Sequence, residues 1–109
     1  MATIEDWNQL DIRAGEVIDV QDFPEARKPA YKVWIDFGEE LGIKKSSAQI
    51  TALYTKNDLL GRQVIAVVNF PPLRIASFSS EVLILGVYTK QGVVLLQPDQ
   101  KVQKGDKIG

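Results

Sequence analysis

The chain has 109 residues, of which 45% are hydrophobic and 25% charged, and its formal net charge is −1. This length and composition predict one globular domain, residues 1–109, built around a single hydrophobic core. Cysteine and histidine are both absent, which excludes disulfides and thiol chemistry and removes the commonest general base and metal ligand. The sequence therefore predicts neither a cofactor nor a metal site.

Charge is distributed unevenly along the chain. Residues 1–43 hold ten acidic and four basic side chains, whereas residues 44–109 hold four acidic and nine basic ones. The chain is therefore not a generic polyanion binder, although a dimer could still present a basic face. The longest apolar run, Val82–Tyr88, is far shorter than the roughly 20 residues of a membrane span, and the acidic start lacks the features of a signal peptide. We therefore expect a cytoplasmic protein without membrane insertion.

The first third of the chain predicts one helical turn followed by two strands. Thr3–Asn8 forms the turn, because Thr3 is a suitable N-cap and acidic residues occupy the first turn. One turn is not stable alone, so its apolar side chains must dock elsewhere. Ile12–Asp22 is predicted as a long strand in which Gly15 indicates a bulge or bend. Tyr31–Phe37 alternates apolar and polar residues and predicts a half-buried strand.

The rest of the chain predicts a turn, a short helix and four more strands. In chain order these are the turn Gly38–Gly42, the strand Ile43–Ala48, the helix Gln49–Leu60 and the strands Gln63–Val68, Glu81–Tyr88 and Val93–Gln97. The segment Asn69–Glu81 is predicted to form no regular element, because Pro71 and Pro72 lack backbone donors. A loop of this length between packed strands is more often a functional surface than a plain connection.

The predicted order β-β-β-α-β-β is that of an all-β oligonucleotide- and oligosaccharide-binding (OB) fold. This is a five-stranded barrel, here with a short N-terminal helix and a C-terminal extension. Such barrels bind ligands on strands two and three and through the loops that follow strands one and four. Those loops are Phe23–Pro29 and Asn69–Glu81 in this chain. We therefore expect Asn69–Glu81 to form a recognition edge.

Two kinds of ligand fit the residues of these loops and strands. Alternatively, the aromatic side chains of these segments pack in the hydrophobic core. RNA needs a cationic track and flat side chains for stacking, which Phe23, Phe70 and Phe78 would supply. The remaining RNA-binding candidates are Arg27, Lys28, Lys44, Lys45, Asn69, Arg74, Ser79 and Ser80. An unfolded peptide needs an apolar groove with polar groups at its rim. The peptide-binding candidates are Phe23, Arg27, Phe70, Arg74, Ile75 and Phe78, together with Leu73.

No combination of residues is typical of catalysis. The pair Glu39–Glu40 lies in a predicted turn, and Asp19 and Asp22 lie near a strand end without a partner that would separate their pKa values. A glycine-rich phosphate loop is also absent. The sequence therefore predicts a binding protein and not an enzyme.

Three apolar side chains are candidates for a subunit interface. Ile4 and Trp7 lie on one side of the predicted helical turn. Trp34 occupies the polar side of the second strand, where a large aromatic residue indicates either a subunit contact or a binding face.

Six segments of the sequence resemble the tRNA-binding domain family, and its CsaA branch in particular. They are LDIRAG (Leu10–Gly15), FPEAR (Phe23–Arg27), IDFG (Ile35–Gly38), IKKSSAQIT (Ile43–Thr51), VIAVVNFPP (Val64–Pro72) and LLQPDQ (Leu95–Gln100). The resemblance covers nearly the whole chain. It implies the five-stranded barrel and a homodimer whose interface is built largely outside the barrel, here from the N-terminal helix and the C-terminal extension.

The family resemblance implies two functions. The CsaA branch is described as a homodimeric chaperone related to secretion, whereas other members bind tRNA as free-standing homodimers or as domains of methionyl- and tyrosyl-tRNA synthetases. The family's basic Ser-x-x-Met signature is missing after the loop, where this chain has Ser80–Val82. Leu73 and Ser79 also occupy positions where basic side chains would strengthen the phosphate contacts of a tRNA-binding protein. These departures favour an unfolded or signal-bearing polypeptide as the ligand, with tRNA as the alternative partner.

Overall fold

Nine strands and three short helices make up the computed structural model, which describes every residue from 1 to 109. The helices are α1 (Ile4–Asn8), α2 (Gly38–Leu41) and α3 (Lys56–Leu59). The strands are β1 (Ile12–Asp22), β2 (Tyr31–Asp36), β3 (Ile43–Ala48), β4 (Gln63–Val67), β5 (Leu73–Ile75), β6 (Phe78–Ser80), β7 (Leu83–Ile84), β8 (Gly86–Thr89) and β9 (Gly92–Leu95). None of the helices has the length and apolar character needed to cross a membrane.

Five of the strands form an antiparallel sheet in the order β3-β2-β1-β4-β7. The sheet curls until β3 meets the residues just before β7. There the Glu81 amide donates to the Lys45 carbonyl at 2.8 Å, and the Ser47 amide donates to the Ser80 hydroxyl at 2.9 Å. These bonds bring the sheet to a nearly closed barrel, and the predicted OB fold is confirmed.

A bulge in β1 decides which of its side chains enter the barrel. The pairing of β1 with β2 shifts between Val17 and Asp19, so Val17 and Val20 are both buried in the core and Ile18 is left 40% exposed. The bulge is not at Gly15, which pairs regularly with β4. A Cβ atom at Gly15 would lie 2.5 Å from the Cγ2 of Ile35, so this glycine is needed for close packing.

The C-terminal extension covers an apolar patch on the outside of the barrel. Ile12, Ala14, Ile65 and Val67 form this patch, and partly buried Leu10, Leu85, Val102 and Ile108 pack against it. The extension is hydrogen-bonded to β1: the Gly105 amide donates to the Ala14 carbonyl at 2.8 Å, and the Ile108 amide donates to the Ile12 carbonyl at 2.9 Å. In this chain the extension therefore packs on its own barrel.

The observed helix α1 agrees with the predicted helical turn, whereas three other predicted elements differ from the observed structure. The α1 turn is capped by Thr3, whose hydroxyl accepts from the Asp6 amide at 3.3 Å, as predicted. The predicted helix Gln49–Leu60 is wrong in extent, because only α3 is helical. The predicted turn Gly38–Gly42 contains the single helical turn α2. The predicted strand Glu81–Tyr88 is divided, because β7 pairs with β4 whereas β8 leaves the barrel and pairs with β9.

The largest difference lies in the segment Asn69–Glu81. It was expected to have no regular structure, but β5 and β6 form a hairpin within it. The two prolines precede the first paired residue, Leu73, so their missing donors do not interrupt the pairing. Ala76 adopts a left-handed φ of 52° and closes the turn. The hairpin gives this segment two distinct faces.

One ion pair links the extension to β2. The Lys104 ammonium lies 3.2 Å from Asp36, whose other oxygen accepts from the Gly38 amide at 2.9 Å. The bond from Gly38, and then that from Lys104, lowers the pKa of the Asp36 carboxyl. The interactions that lower this pKa stabilise the fold at pH values above the unfolded-state pKa of about 3.9. Their contribution is lost as the pH falls through the folded-state pKa of Asp36.

We therefore expect Asp36→Asn to be less stable than the parent at neutral pH, with the difference shrinking below about pH 4. Urea midpoints of both proteins, measured from pH 7 down to pH 2.5, test this. A difference that stays constant over that range would mean that the charge of Asp36 does not stabilise the fold.

Candidate binding surfaces

An aromatic cluster lies on the outer side of β2 and β3, where OB barrels bind ligands. The Phe78 ring contacts Phe23 edge to face at a centroid distance of 5.4 Å and Trp34 at 6.0 Å. Phe23 and Phe78 are 4% and 7% exposed, and Ala26, Ala30 and Ile75 pack beside them. The cluster fixes the β5–β6 hairpin to the barrel. We call this surface the aromatic face.

Two lysines border the aromatic face. The Lys32 ammonium lies 4.9 Å from the Phe23 ring centroid and 5.4 Å from that of Phe78, and the Lys45 ammonium lies 5.2 Å from Phe78. Neither lysine belongs to an ion pair; those present are Arg13–Asp11, Lys56–Asp22 and Lys104–Asp36. Their charges are therefore available to an anionic ligand. Sequence reasoning missed Lys32, although it is two residues from Trp34 and therefore lies on the same side of β2.

The predicted RNA-binding residues are divided among several locations. Lys44 pairs with buried Ile35, so its side chain lies on the opposite side of β3 from that of Lys45. Arg27 and Lys28 are exposed in the loop after β1. Arg74 pairs with Ser79, and both lie on the side of the hairpin opposite Phe78. Only part of the predicted cationic track thus lies at the aromatic face.

Two other candidates have structural roles. The side-chain oxygen of Asn69 accepts from the Asp11 amide at 2.9 Å, and its NH₂ donates to the Gln9 carbonyl at 2.8 Å. Asn69 therefore ties the segment after β4 to the start of β1. The Ser80 hydroxyl accepts from the Ser47 amide at the closure of the barrel.

An apolar groove of about 590 Å³ runs between the end of β3, the β5–β6 hairpin and the β7–β8 segment. Its floor includes the buried side chains Ile50, Val82 and Leu95. Its exposed walls include Phe70 (44%), Leu73 (65%), Leu83 (49%) and Tyr88 (92%). A groove of this size matches sites that hold ligands as large as a short peptide segment.

The predicted peptide-binding residues are shared between the groove and the aromatic face. Phe70, Leu73 and Ile75 line the groove. Phe23 and Phe78 belong to the aromatic face. Leu83 and Tyr88 were missed, because an unbroken apolar run predicts a buried central strand and gives no sign of the break between β7 and β8. The single mixed groove of the sequence analysis corresponds to two adjacent surfaces.

The candidate interface residues are also separated. Helix α1 has no buried residue, and Ile4 and Trp7 are 66% and 40% exposed. Trp34 instead packs against Phe78 in the aromatic face. A subunit contact through α1 would cover apolar side chains that its own barrel leaves exposed.

A polar crevice of about 520 Å³ lies between the barrel and the C-terminal extension. Glu16, Asp36 and Glu39 border it, together with Lys101 and Lys104. No three acidic side chains in the chain are arranged to hold a metal ion. The opposite charges that border the crevice compensate one another, as in the Asp36–Lys104 pair. The crevice is therefore a weaker candidate site than the groove.

Comparisons with known proteins agree with this architecture. Residues 12–107 match the family model described as a putative tRNA-binding domain. The chain is 54% identical to the CsaA chaperone protein of Picrophilus torridus, with a TM-score of 0.96 and complete coverage of both chains. It is 55% identical to chaperone CsaA of Bacillus anthracis, with a TM-score of 0.93 and coverage of 100% and 99%.

A curated relative is much longer than this chain. The methionine–tRNA ligase of Thermococcus onnurineus is 36% identical over 104 residues, which are 95% of this chain and 14% of the ligase. The similarity is thus confined to one small part of that enzyme.

Proposed function

The chain belongs to the tRNA-binding domain family, and we propose that it is a homodimeric, CsaA-like secretion chaperone that binds unfolded or signal-bearing polypeptides. The observation that carries this proposal is the apolar groove, whose walls expose Phe70, Leu73, Leu83 and Tyr88. Exposed apolar side chains around a concave surface are typical of interaction sites. In this role the protein binds its client in the cytoplasm and catalyses no reaction.

The groove suits short apolar segments of many sequences. Its lining is mostly hydrophobic, and Ser47, Gln49, Ser80 and Glu81 supply polar groups. Completely burying one large apolar side chain contributes about 1.5–3 kcal/mol, but the groove side chains are already partly covered. Part of the gain is offset by ordering the client, so we expect weak affinity for each groove. Two grooves in a dimer would strengthen binding to a long chain.

The homodimer is proposed from α1. Its apolar residues Ile4 and Trp7 are exposed, and a single helical turn needs a packing partner to be stable. Sedimentation equilibrium at tens of micromolar should give twice the monomer mass. A monomer under these conditions would overturn this part of the proposal without affecting the groove.

Binding of tRNA is the second candidate function, and the aromatic face supports it. Lys32 and Lys45 lie at this face without acidic partners, and Arg27, Lys28 and Arg74 are exposed on the neighbouring loop and hairpin. Five cations that each neutralise one phosphate would give a slope of about −4 for log affinity against log salt. The two functions use adjacent surfaces and are compatible with each other.

Salt titration tests the two functions separately. We expect an uncharged, labelled ten-residue peptide rich in leucine and phenylalanine to bind with less than about a twofold change between 50 and 200 mM salt, because screening acts on charges. Binding of labelled tRNA should weaken by about 250-fold over the same range, because a slope of about −4 acts over a fourfold rise in salt. Submicromolar tRNA binding at physiological salt without measurable peptide binding would reverse the order of the two functions.

A further inference from the structure

A tryptophan and two lysines occupy one patch of the outer surface of β2 and β3. Lys32 lies directly across from Ser47, and Trp34 lies directly across from Lys45. Side chains of directly opposed residues lie on the same side of a sheet. The two lysines therefore stand at diagonal corners of the patch, next to Trp34 and over the edge of the aromatic cluster.

The lysines are held near this patch by weak interactions. Both ammonium groups contact aromatic rings at about 5 Å, and such a contact is weak at an exposed site. A hydrogen bond between two charged groups is stronger than this contact. A phosphate oxygen would thus attract either ammonium away from its ring.

The nearby carboxylates form no ion pair with the lysines. Glu81 accepts a hydrogen bond from the backbone amide of Lys45 at 3.1 Å, and its carboxylate forms no ion pair. Asp19 lies across from Trp34, but its carboxylate accepts from the Gln21 side chain at 3.2 Å and forms no ion pair. Two positive charges without ion-pair partners therefore remain at this patch.

Trp34 supplies a flat surface next to these charges. Its ring meets Phe78 at an interplanar angle of 78°, so the two rings do not stack face to face on each other. The residue is only partly buried. A base gains affinity by stacking on an aromatic side chain, whichever base it is.

We propose that Lys32, Lys45 and Trp34 form a nucleotide subsite for unpaired RNA. The lysines hold one backbone phosphate, and the base of the adjoining nucleotide stacks on Trp34. This inference rests on the second proposed function and narrows it to unpaired bases, because a base inside a duplex is not free to stack on a side chain. An acidic peptide would use the lysines but would gain little from the indole.

Trp34 fluorescence and RNA affinity test the subsite. We expect the single-stranded oligonucleotide rA8 to quench the parent protein and to leave the fluorescence of Trp34→Phe, in which Trp7 remains, unchanged. The double variant Lys32→Gln/Lys45→Gln should bind labelled rA8 about 30-fold more weakly at 50 mM salt. Its salt slope should be smaller by about 0.7, because the two lysines share one phosphate and each phosphate contact of a single strand contributes about 0.7.

Lys44→Gln is the matched control, because Lys44 is adjacent to Lys45 in sequence but lies on the opposite side of β3. It should bind rA8 within about twofold of the parent. The lysine variants should keep the parent urea midpoint, so that a loss of binding is not a loss of folding.

The outcomes separate the subsite from the broader function. If tRNA binds but Lys32→Gln/Lys45→Gln behaves like Lys44→Gln and Trp34 is not quenched, the subsite is wrong and tRNA binding stands. If octaglutamate quenches Trp34 as strongly as rA8 at equal charge, the patch recognises charge alone and the nucleotide assignment is wrong. If neither tRNA nor rA8 binds at millimolar concentration and 50 mM salt, both the subsite and the second function are wrong.

Discussion

Gly105→Ala is expected to lower the free energy of unfolding by about 2–5 kcal/mol, because two separate costs act at this position. Gly105 has a left-handed φ of 89°, which disfavours any residue with a Cβ atom by about 1–2 kcal/mol. The new Cβ would also collide with the carbonyl oxygen of Phe37. Relieving such an overlap in a packed region typically costs about 1–3 kcal/mol.

The effect of Gly105→Ala reaches the barrel through the C-terminal extension. The Gly105 amide donates to Ala14, and its carbonyl accepts from the Arg13 guanidinium at 3.1 Å. Arg13 is itself held by Asp11, whose hydrogen bond raises the pKa of Arg13. A displaced Gly105 therefore disturbs the bonds that join the extension to β1 and uncovers the apolar patch beneath it.

Urea denaturation measures this prediction, and Gly61→Ala is the matched control. Gly61 also has a left-handed φ, of 80°, but a Cβ there would meet no atom within 4 Å. We expect Gly61→Ala to cost only about 1–2 kcal/mol, from the backbone conformation alone. Equal losses in the two variants would show that the contact with Phe37 does not matter.

Leu83→Asp is expected to weaken binding of the uncharged peptide by more than about 100-fold, because a client in the groove would bury an unpaired carboxylate. Leu83 lines the groove and is 49% exposed in the free protein. The carboxylate is hydrated in the unbound state, so the free energy of unfolding should change little. Fluorescence anisotropy of the labelled peptide measures the affinity.

Leu60→Asp is the control for Leu83→Asp. Leu60 is 48% exposed, nearly the same as Leu83, but it lies at the end of α3 and does not line the groove. The affinity of Leu60→Asp for the peptide should be within about twofold of that of the parent, because the new charge stays in water. If the two variants bind equally well, the groove is not the peptide site. If Leu83→Asp instead changes the mass found by sedimentation, the groove wall belongs to a subunit interface.

Local patterns predicted most of the barrel. Val33, Ile35 and Phe37 alternate with polar residues, and all three are buried as that pattern requires. The same alternation places Lys32 and Trp34 on the outside of β2. Period-two patterning records which side of a strand is buried, so element type and sidedness are readable from neighbours in sequence. In β1 a bulge shifts the alternation by one residue, and this shift leaves Ile18 exposed.

The sequence by itself determined the family, the order of the barrel strands and the segment Asn69–Glu81 as a candidate recognition edge. Only the tertiary structure decided how the aromatic residues of that segment divide. Phe70 and Phe78 are equivalent in sequence terms, yet Phe70 is 44% exposed in the groove and Phe78 is 7% exposed beneath the two lysines. The pairing of β5 with β6, and the docking of that hairpin on β2 and β3, place each ring. The contacts of the hairpin with β2 and β3 join residues that are distant in sequence, and such contacts leave no periodic signal in the chain.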